Sequence, residues 1–144
     1  MKRQQFFDAI RDDLQLGELT PDDAGVYTIV FDGDLEIELL PLSDSRVLLR
    51  AWVATLPDDQ QAHEAFLRGL LNRNLGCLQS QQAALALDGE TGRVWLHRPL
   101  DTQPLDDRSA VAAVGDFVNT TEWWKQAETS ASPLDGLPFS MLRP

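Results

Sequence analysis

The stretch from Asp58 to Leu75 constrains the fold most, because it reads as a helix whose apolar residues cover more than one side. Pro57 precedes it and Gly76 follows it. The apolar residues form two adjacent flanks: Ala62, Phe66 and Leu70 on one, and Leu67, Leu71 and Leu75 on the other. At about 100° per residue the two flanks sweep roughly 220°, whereas a surface helix needs a stripe of about 100°. Such a helix needs two neighbours. One would be its own sheet, and a second copy of the chain could be the other.

Length and charge limit the class of protein. The 144 residues suit one domain with one core. The net charge of −11, from 12 basic and 23 acidic residues, would repel nucleic acid and anionic membrane. The same charge would attract a basic partner, or it serves only to keep the protein soluble.

The sequence predicts a cytoplasmic protein. A single cysteine, Cys77, cannot form an internal disulfide and fits a reducing compartment. No stretch reaches the roughly 18 apolar residues that span a bilayer. The N-terminus turns acidic before an apolar segment forms, so it does not read as a secretory signal.

The periodicity of apolar residues predicts the element order αβββαββα. The predicted helices cover residues 2–16, 58–75 and about 107–128, and the predicted strands cover 26–31, 35–40, 47–56, 83–87 and 93–98. Gly17 is expected to cap the first helix, and Asp32-Gly33 predicts a hairpin turn. Pro41 is expected to end the second strand, residues 77–82 to be irregular, and Pro99 to open a link.

This order indicates an α+β fold, a twisted antiparallel sheet with helices packed mainly on one face. Trp123 is expected to project away from the core face of the last helix. Residues 1–128 would form the single domain. Residues 129–144 are rich in proline and low in periodicity, so we expect a flexible tail.

No set of residues predicts catalysis, a cofactor or a metal. The two histidines, His63 and His97, more commonly have packing or surface roles. Cys77 follows the predicted C-terminus of a helix, where the dipole disfavours a thiolate. The acidic run after Asp32 resembles a calcium loop, but it lacks glycine at the sixth position and glutamate at the twelfth.

The first strand, Val26–Phe31, is predicted to be a sheet edge because it opens the meander. Both of its faces carry apolar residues, with Tyr27, Ile29 and Phe31 on one and Val26 and Val30 on the other. An extended peptide can pair with such an edge. Alternatively, the first helix and the tail simply cover one face.

Several motifs together resemble those of the class I type III secretion chaperones, the Tir-chaperone-like family. The central helix ends in an L-L-x-x-N-L element at Leu70–Leu75. A strand of the A-x-L-A-L-D type follows at Ala83–Asp88, and the next strand, Val94–Arg98, places apolar residues before a positive charge. The opening helix and the L-E-I-E second strand also fit, so the resemblance covers roughly residues 2–125.

The resemblance implies a cytoplasmic homodimer without enzymatic activity. It would bind the N-terminal segment of one or more secreted effector proteins in extended form and keep them competent for export. It implies no cofactor, nucleic acid or membrane partner. The residues assigned to the dimer interface are Phe66, Leu67, Leu70, Leu71 and Leu75. The residues assigned to effector binding are Phe6, Ile10, Tyr27, Ile29 and Phe31.

Two other functions stay open at the level of sequence. The first is a YbjN-like regulatory or sensor domain of the same fold, which would dimerise without holding an unfolded effector. The second is a small acidic enzyme, which would require a pocket joining His63 or His97 to carboxylates.

Overall fold

A computed structural model describes residues 1–130, except for the side chains of residues 76–81 and 127–130. Its elements follow the predicted order αβββαββα. They are α1 (Arg3–Asp13), β1 (Tyr27–Phe31), β2 (Leu35–Ser43), β3 (Arg46–Thr55), α2 (Gln60–Gln81), β4 (Ala84–Asp88), β5 (Arg93–Asp101) and α3 (Asp107–Ser130). The predicted tail begins with residues 129 and 130, which belong to α3, and its remainder lies outside the described residues.

The strands form one antiparallel five-stranded sheet in the order β1-β2-β3-β5-β4. The α+β class is therefore confirmed, and β1 and β4 are the two edge strands. No helix in the described part of the chain is long and apolar enough to cross a membrane.

The chain divides into two compact units, and the first comprises residues 1–51 and 97–119. Its core is built from α1 and alternate residues of the strands. Its fully buried side chains include Phe6, Ile10, Ile37, Leu39, Val47 and Leu49. Along β2, buried Ile37 and Leu39 alternate with exposed Glu36 and half-buried Glu38. This is the one-sided strand that the sequence pattern predicts.

Among the described residues, the second unit comprises residues 52–96 and 120–130. Its buried side chains include Val53, Leu56, Leu70, Val94, Leu96 and Trp124. Trp124 is 1% exposed, whereas its neighbour Trp123 is 53% exposed. Adjacent residues on a helix point about 100° apart, so Trp123 leaves the core face as predicted.

The hairpin between β1 and β2 has the predicted turn. Asp32 (φ 53°) and Gly33 (φ 88°) both adopt left-handed conformations, and the Asp34 N–H donates to the Phe31 carbonyl at 3.3 Å. Two successive positive φ values define a type I′ turn, which matches the twist of the strands it joins.

Two prolines do not end strands as predicted. Pro41 lies inside β2, next to a register shift between Pro41 and Ser43. An irregularity in the ladder tolerates a residue without an N–H. Pro99 lies inside β5, which continues to Asp101.

The C-terminus of α1 also differs from the prediction, because the helix ends at Asp13 rather than near Gly17. Gln15 adopts the left-handed conformation (φ 54°), and its N–H donates to the Asp12 carbonyl at 3.3 Å. The Leu16 N–H donates to the Arg11 carbonyl at 2.9 Å. These two bonds form a Schellman motif with glutamine where glycine is usual.

The predicted end of α2 at Leu75 is wrong, as is the irregular segment at residues 77–82. The helix runs through Gly76 to Gln81 and ends where Gln82 turns left-handed (φ 56°). One glycine lowers helix stability by only about 1 kcal/mol, which tertiary packing overrides. At the other end, the Asp59 carboxylate caps the helix by accepting from the Ala62 N–H at 2.9 Å.

Asp106 caps α3. Its carboxylate accepts from the Ser109 N–H and the Ser109 hydroxyl, each at 2.8 Å. These hydrogen bonds to the Ser109 N–H and hydroxyl lower the pKa of Asp106.

Candidate partner-binding surfaces

The outward side of α2 carries a row of leucines in the second unit. Leu71 is 67% exposed and Leu75 is 61% exposed, and Leu67 lies half-buried one turn earlier. Residues four apart share one side of a helix, so these three side chains form a continuous stripe. A leucine left in water forgoes roughly 1.5–3 kcal/mol of burial energy, so such a stripe suits a docking surface.

The predicted dimer residues divide between this stripe and the core. Leu70 is 6% exposed and belongs to the core. Phe66 is half-buried, between the two surfaces. Polar groups border the stripe. His63 lies half-buried one turn before Leu67. Arg73 is also half-buried, and this burial lowers the pKa of its guanidinium. That these residues form a dimer interface stays a prediction.

Asn74 ties α2 to the edge strand β4. Its side-chain oxygen accepts a hydrogen bond from the Leu85 N–H at 2.9 Å. An edge strand leaves backbone groups without a strand partner, and here a side chain satisfies one of them. Asn74 is the asparagine of the L-L-x-x-N-L element, so the geometry gives that position a structural reason.

Trp52 presents a second apolar surface in the same unit. It is 44% exposed, its indole N–H donates to the Ala54 carbonyl at 2.9 Å, and the Arg93 guanidinium lies 4.1 Å from its ring centroid. The hydrogen bond and the cation–π contact fix the ring.

In the first unit, β1 offers an edge with free positions. The Phe31 carbonyl points toward β2, because it accepts a hydrogen bond from the Asp34 N–H in the turn. Successive residues of a strand direct their backbone groups to opposite sides. Tyr27, Ile29 and Phe31 therefore direct theirs to β2, and Thr28 and Val30 direct theirs outward. Just before this edge, Asp22 binds both backbone groups of Val26. Its carboxylate accepts from the Val26 N–H, and its own N–H donates to the Val26 carbonyl, each at 2.9 Å.

The predicted effector-binding residues occupy two kinds of position. Phe6 and Ile10 are fully buried and Ile29 is 3% exposed, so all three are core residues in this structure. Tyr27 and Phe31 are half-buried. Their role in binding an effector stays a prediction. Sequence reasoning missed Thr28 and Val30, because backbone direction depends on register rather than on residue type.

A cleft of about 90 Å³ lies beside Tyr27. Its lining comes from α1, β1 and the segment between them: Gln4, Phe7, Asp8, Arg11, Leu19 and Tyr27. The Phe7 and Tyr27 rings lie 4.4 Å apart at a 30° tilt at one side of the cleft, where Phe7 is almost fully buried.

The polar wall of this cleft is centred on Asp8. One carboxylate oxygen accepts from the Gln4 amide at 3.2 Å and lies 3.3 Å from the Arg11 guanidinium. The same guanidinium also contacts the Asp12 carboxylate at 3.3 Å. Arg11 therefore has two carboxylate partners.

Metal binding has no support in the described residues. Among the side chains of residues 1–75 and 82–126, no group of three histidine, cysteine, aspartate or glutamate residues lies close enough to hold an ion.

Comparison with solved structures places the fold among known chaperone complexes. The structure titled "Crystal Structure of the ExsC-ExsE Complex" matches with a TM-score of 0.67 and 22% identity, covering 87% of this chain and 94% of that one. The HopA1-SchA chaperone–effector complex matches with a TM-score of 0.60 and 19% identity, over 84% and 94%. The Yersinia pestis type III secretion chaperone SycH, solved with a fragment of YscM2, matches with a TM-score of 0.60 and 17% identity, over 83% and 96%. At these identities the likeness shows a shared fold.

The sequence itself identifies the family. No curated protein matches the chain. A model of the Tir chaperone protein (CesT) family, however, matches residues 5–125. That range holds both edge strands, the leucine stripe of α2 and the cleft at Tyr27, and the chain therefore belongs to the Tir chaperone protein (CesT) family.

Proposed function

We propose that the protein is a cytoplasmic chaperone of type III secretion. It acts as a homodimer, binds the N-terminal segment of one or more secreted effector proteins and keeps them competent for export. The family match over residues 5–125 carries this proposal. Because the family consists of chaperones, we propose binding rather than catalysis as the activity.

The exposed leucines of α2 support the homodimer. A symmetric dimer pairs the same patch on both chains, so one leucine stripe supplies both halves of an interface. Leu71 and Leu75, each more than 60% exposed, would become buried by pairing with a second α2.

The open edge of β1 supports binding of an extended segment. Thr28 and Val30 direct backbone donors and acceptors outward, and a peptide that pairs with them gains main-chain hydrogen bonds. Pairing of this kind does not require the partner to be folded. A chain that becomes ordered on binding spends part of its interaction energy on that ordering, which suits a complex that must later release.

Co-expression with the secreted proteins encoded beside this gene tests the proposal. We expect at least one to co-purify as a soluble complex, with two copies of this chain to one effector, and its N-terminal segment to be protected from protease. Failure of every such protein to form a complex would remove the proposal. A dimer that binds none of them would instead favour the regulatory-domain alternative.

A further inference from the structure

Residues 1–40, which include β1, carry a net charge of −7 out of the −11 of the whole chain. Residues 1–40 contain ten acidic and three basic residues. Exposed carboxylates lie at both ends of β1, with Asp22 and Asp23 before it and Asp32 and Asp34 in the turn after it. A segment that approaches this edge meets a negative field from both directions, which favours basic side chains.

The cleft at Tyr27 lies where a side chain of an added strand would point. A strand pairs at about 4.8 Å from its neighbour, and its alternate side chains share the faces of that neighbour. Tyr27 is on the same face of β1 as buried Ile29. A residue opposite Tyr27 on an added strand would therefore enter the cleft between β1 and α1.

The lining of the cleft suits a long side chain with a positive end. The Phe7 ring is almost fully buried, so the accessible lining is mainly polar, and Asp8 offers a carboxylate to a positive group. Lysine and arginine carry such a group on a long aliphatic stem. A purely apolar side chain would cover these polar groups without forming a hydrogen bond or an ion pair with them, which costs free energy.

Arg11 occupies the position that an incoming cation would take. It lies 3.3 Å from Asp8 and is 39% exposed, so it can leave without unpacking the core. Because Arg11 also contacts Asp12, it keeps one carboxylate partner if it gives up Asp8.

We propose that the partner segment carries a lysine or arginine that enters the cleft beside Tyr27 and pairs with Asp8, leaving Arg11 to pair with Asp12. The inference rests on the proposed function and adds the chemistry of the bound segment. It defines a recognition pattern in which alternate apolar residues flank one basic residue.

A library of random 12-residue peptides displayed on phage, selected against the full chain, tests this pattern. We expect selected peptides to be enriched in lysine or arginine at one position between alternating apolar residues. A selected peptide should bind about fivefold more weakly to the Asp8→Asn variant, the size expected for one partly exposed charge pair. Replacing its basic residue by norleucine should have a similar effect on the unaltered protein.

Two further variants separate local pairing from other effects. Glu90→Gln removes the same charge from an exposed residue of the second unit, and binding should stay within twofold. Arg11→Ala frees Asp8 and should strengthen binding, which a merely structural role of Asp8 would not produce. No enrichment of basic residues, equal weakening by Asp8→Asn and Glu90→Gln, or the absence of any selected peptide would each overturn the inference. A co-purified effector complex would still support the proposed function in those cases.

Discussion

The two edge strands of the sheet differ in where other residues occupy their backbone groups. At β4 the neighbouring helix α2 supplies Asn74, whose side chain accepts the Leu85 N–H. At β1, Asp22 occupies only the backbone of Val26, and Thr28 and Val30 direct theirs outward. Open edges promote aggregation, so proteins generally close them. We propose that β1 is the edge that stays open for a partner.

The apolar surfaces beside the two edges differ as well. Near the closed edge, α2 shows a regular stripe of leucines, which suits a folded and rigid counterpart. Near the open edge there is a small cleft with both ring and carboxylate lining. We infer that the closed edge belongs to the part of the chain that meets a second copy, and the open edge to the part that meets an extended segment.

The largest expected effect is on dimerisation, from Leu71→Glu. Burying a charge in place of a leucine should weaken self-association at least about 100-fold, because each interface then contains two such residues. Folding should be unaffected, since Leu71 is 67% exposed. Light scattering at micromolar concentration, with circular dichroism as the folding check, measures both.

The matched control for this change is Leu42→Glu, on β2 in the other unit. Leu42 is also an exposed leucine, at 49%, and its replacement should leave the mass in solution unchanged. A Leu71→Glu protein that remains dimeric would contradict the assignment of the α2 stripe.

Removing the hydrogen bond from Leu85 on β4 to Asn74 should lower the free energy of unfolding. Asn74→Ala removes the acceptor of the Leu85 N–H, and we expect a loss of about 1–2 kcal/mol in the free energy of unfolding. Urea denaturation measures the change. Asn72→Ala alters an exposed asparagine on the same helix and should shift the free energy by less than about 0.5 kcal/mol. Equal effects of the two variants would show that Asn74 does not secure β4.

Closing the open edge should weaken effector binding. Thr28→Pro removes an N–H that points outward and leaves the donors to β2 in place. The loss of one main-chain hydrogen bond to the effector segment should reduce the affinity for that segment about tenfold. Isothermal titration with a co-purified effector segment measures the affinity. Thr28→Ala retains the N–H and should bind as the unaltered chain does. If alanine weakens binding as much as proline, the backbone of this edge is not the contact.

The smallest expected effect concerns the helix that borders the open edge. Gln15 is left-handed (φ 54°) at the end of α1, where glycine carries no steric penalty. Gln15→Gly should raise the free energy of unfolding by about 0.5–1 kcal/mol, measured from the urea midpoint. Gln82→Gly, at the equivalent position after α2, should give a similar gain. A loss in both variants would contradict the left-handed conformation.

Local patterns in the sequence predicted much of the fold. Asp32-Gly33 predicted the hairpin, alternation predicted which side of β2 is buried, and helical spacing predicted that Trp123 leaves the core. Where the predictions were wrong, single residues had been given too much weight as breakers. Pro41 and Pro99 lie within strands and Gly76 within a helix, because packing and ladder irregularities outweigh their local cost.

Candidate surfaces were predictable only where they depend on periodicity. The exposed positions of Leu71 and Leu75 follow from helical spacing. The bond from Leu85 to Asn74, and the outward direction of Thr28 and Val30, depend on packing and register, which residue types do not encode. For the same reason Phe6 and Ile10 suit a core and a binding surface equally well in the sequence, and the structure places them in the core.

The bond between Asn74 and Leu85 also bears on how the chain folds, because it joins residues only 11 apart. Short loops close early at little entropic cost, and the type I′ turn gives β1 and β2 the same advantage. The neighbouring strands β3 and β5, by contrast, are separated along the chain by α2 and β4. We therefore expect the hairpins at both rims of the sheet to form before β3 and β5 pair, with amide protons of the β1–β2 ladder protected ahead of those that join β3 to β5 in pulsed hydrogen exchange. A nascent chain would then have the edge that we propose for effector binding before its core is complete.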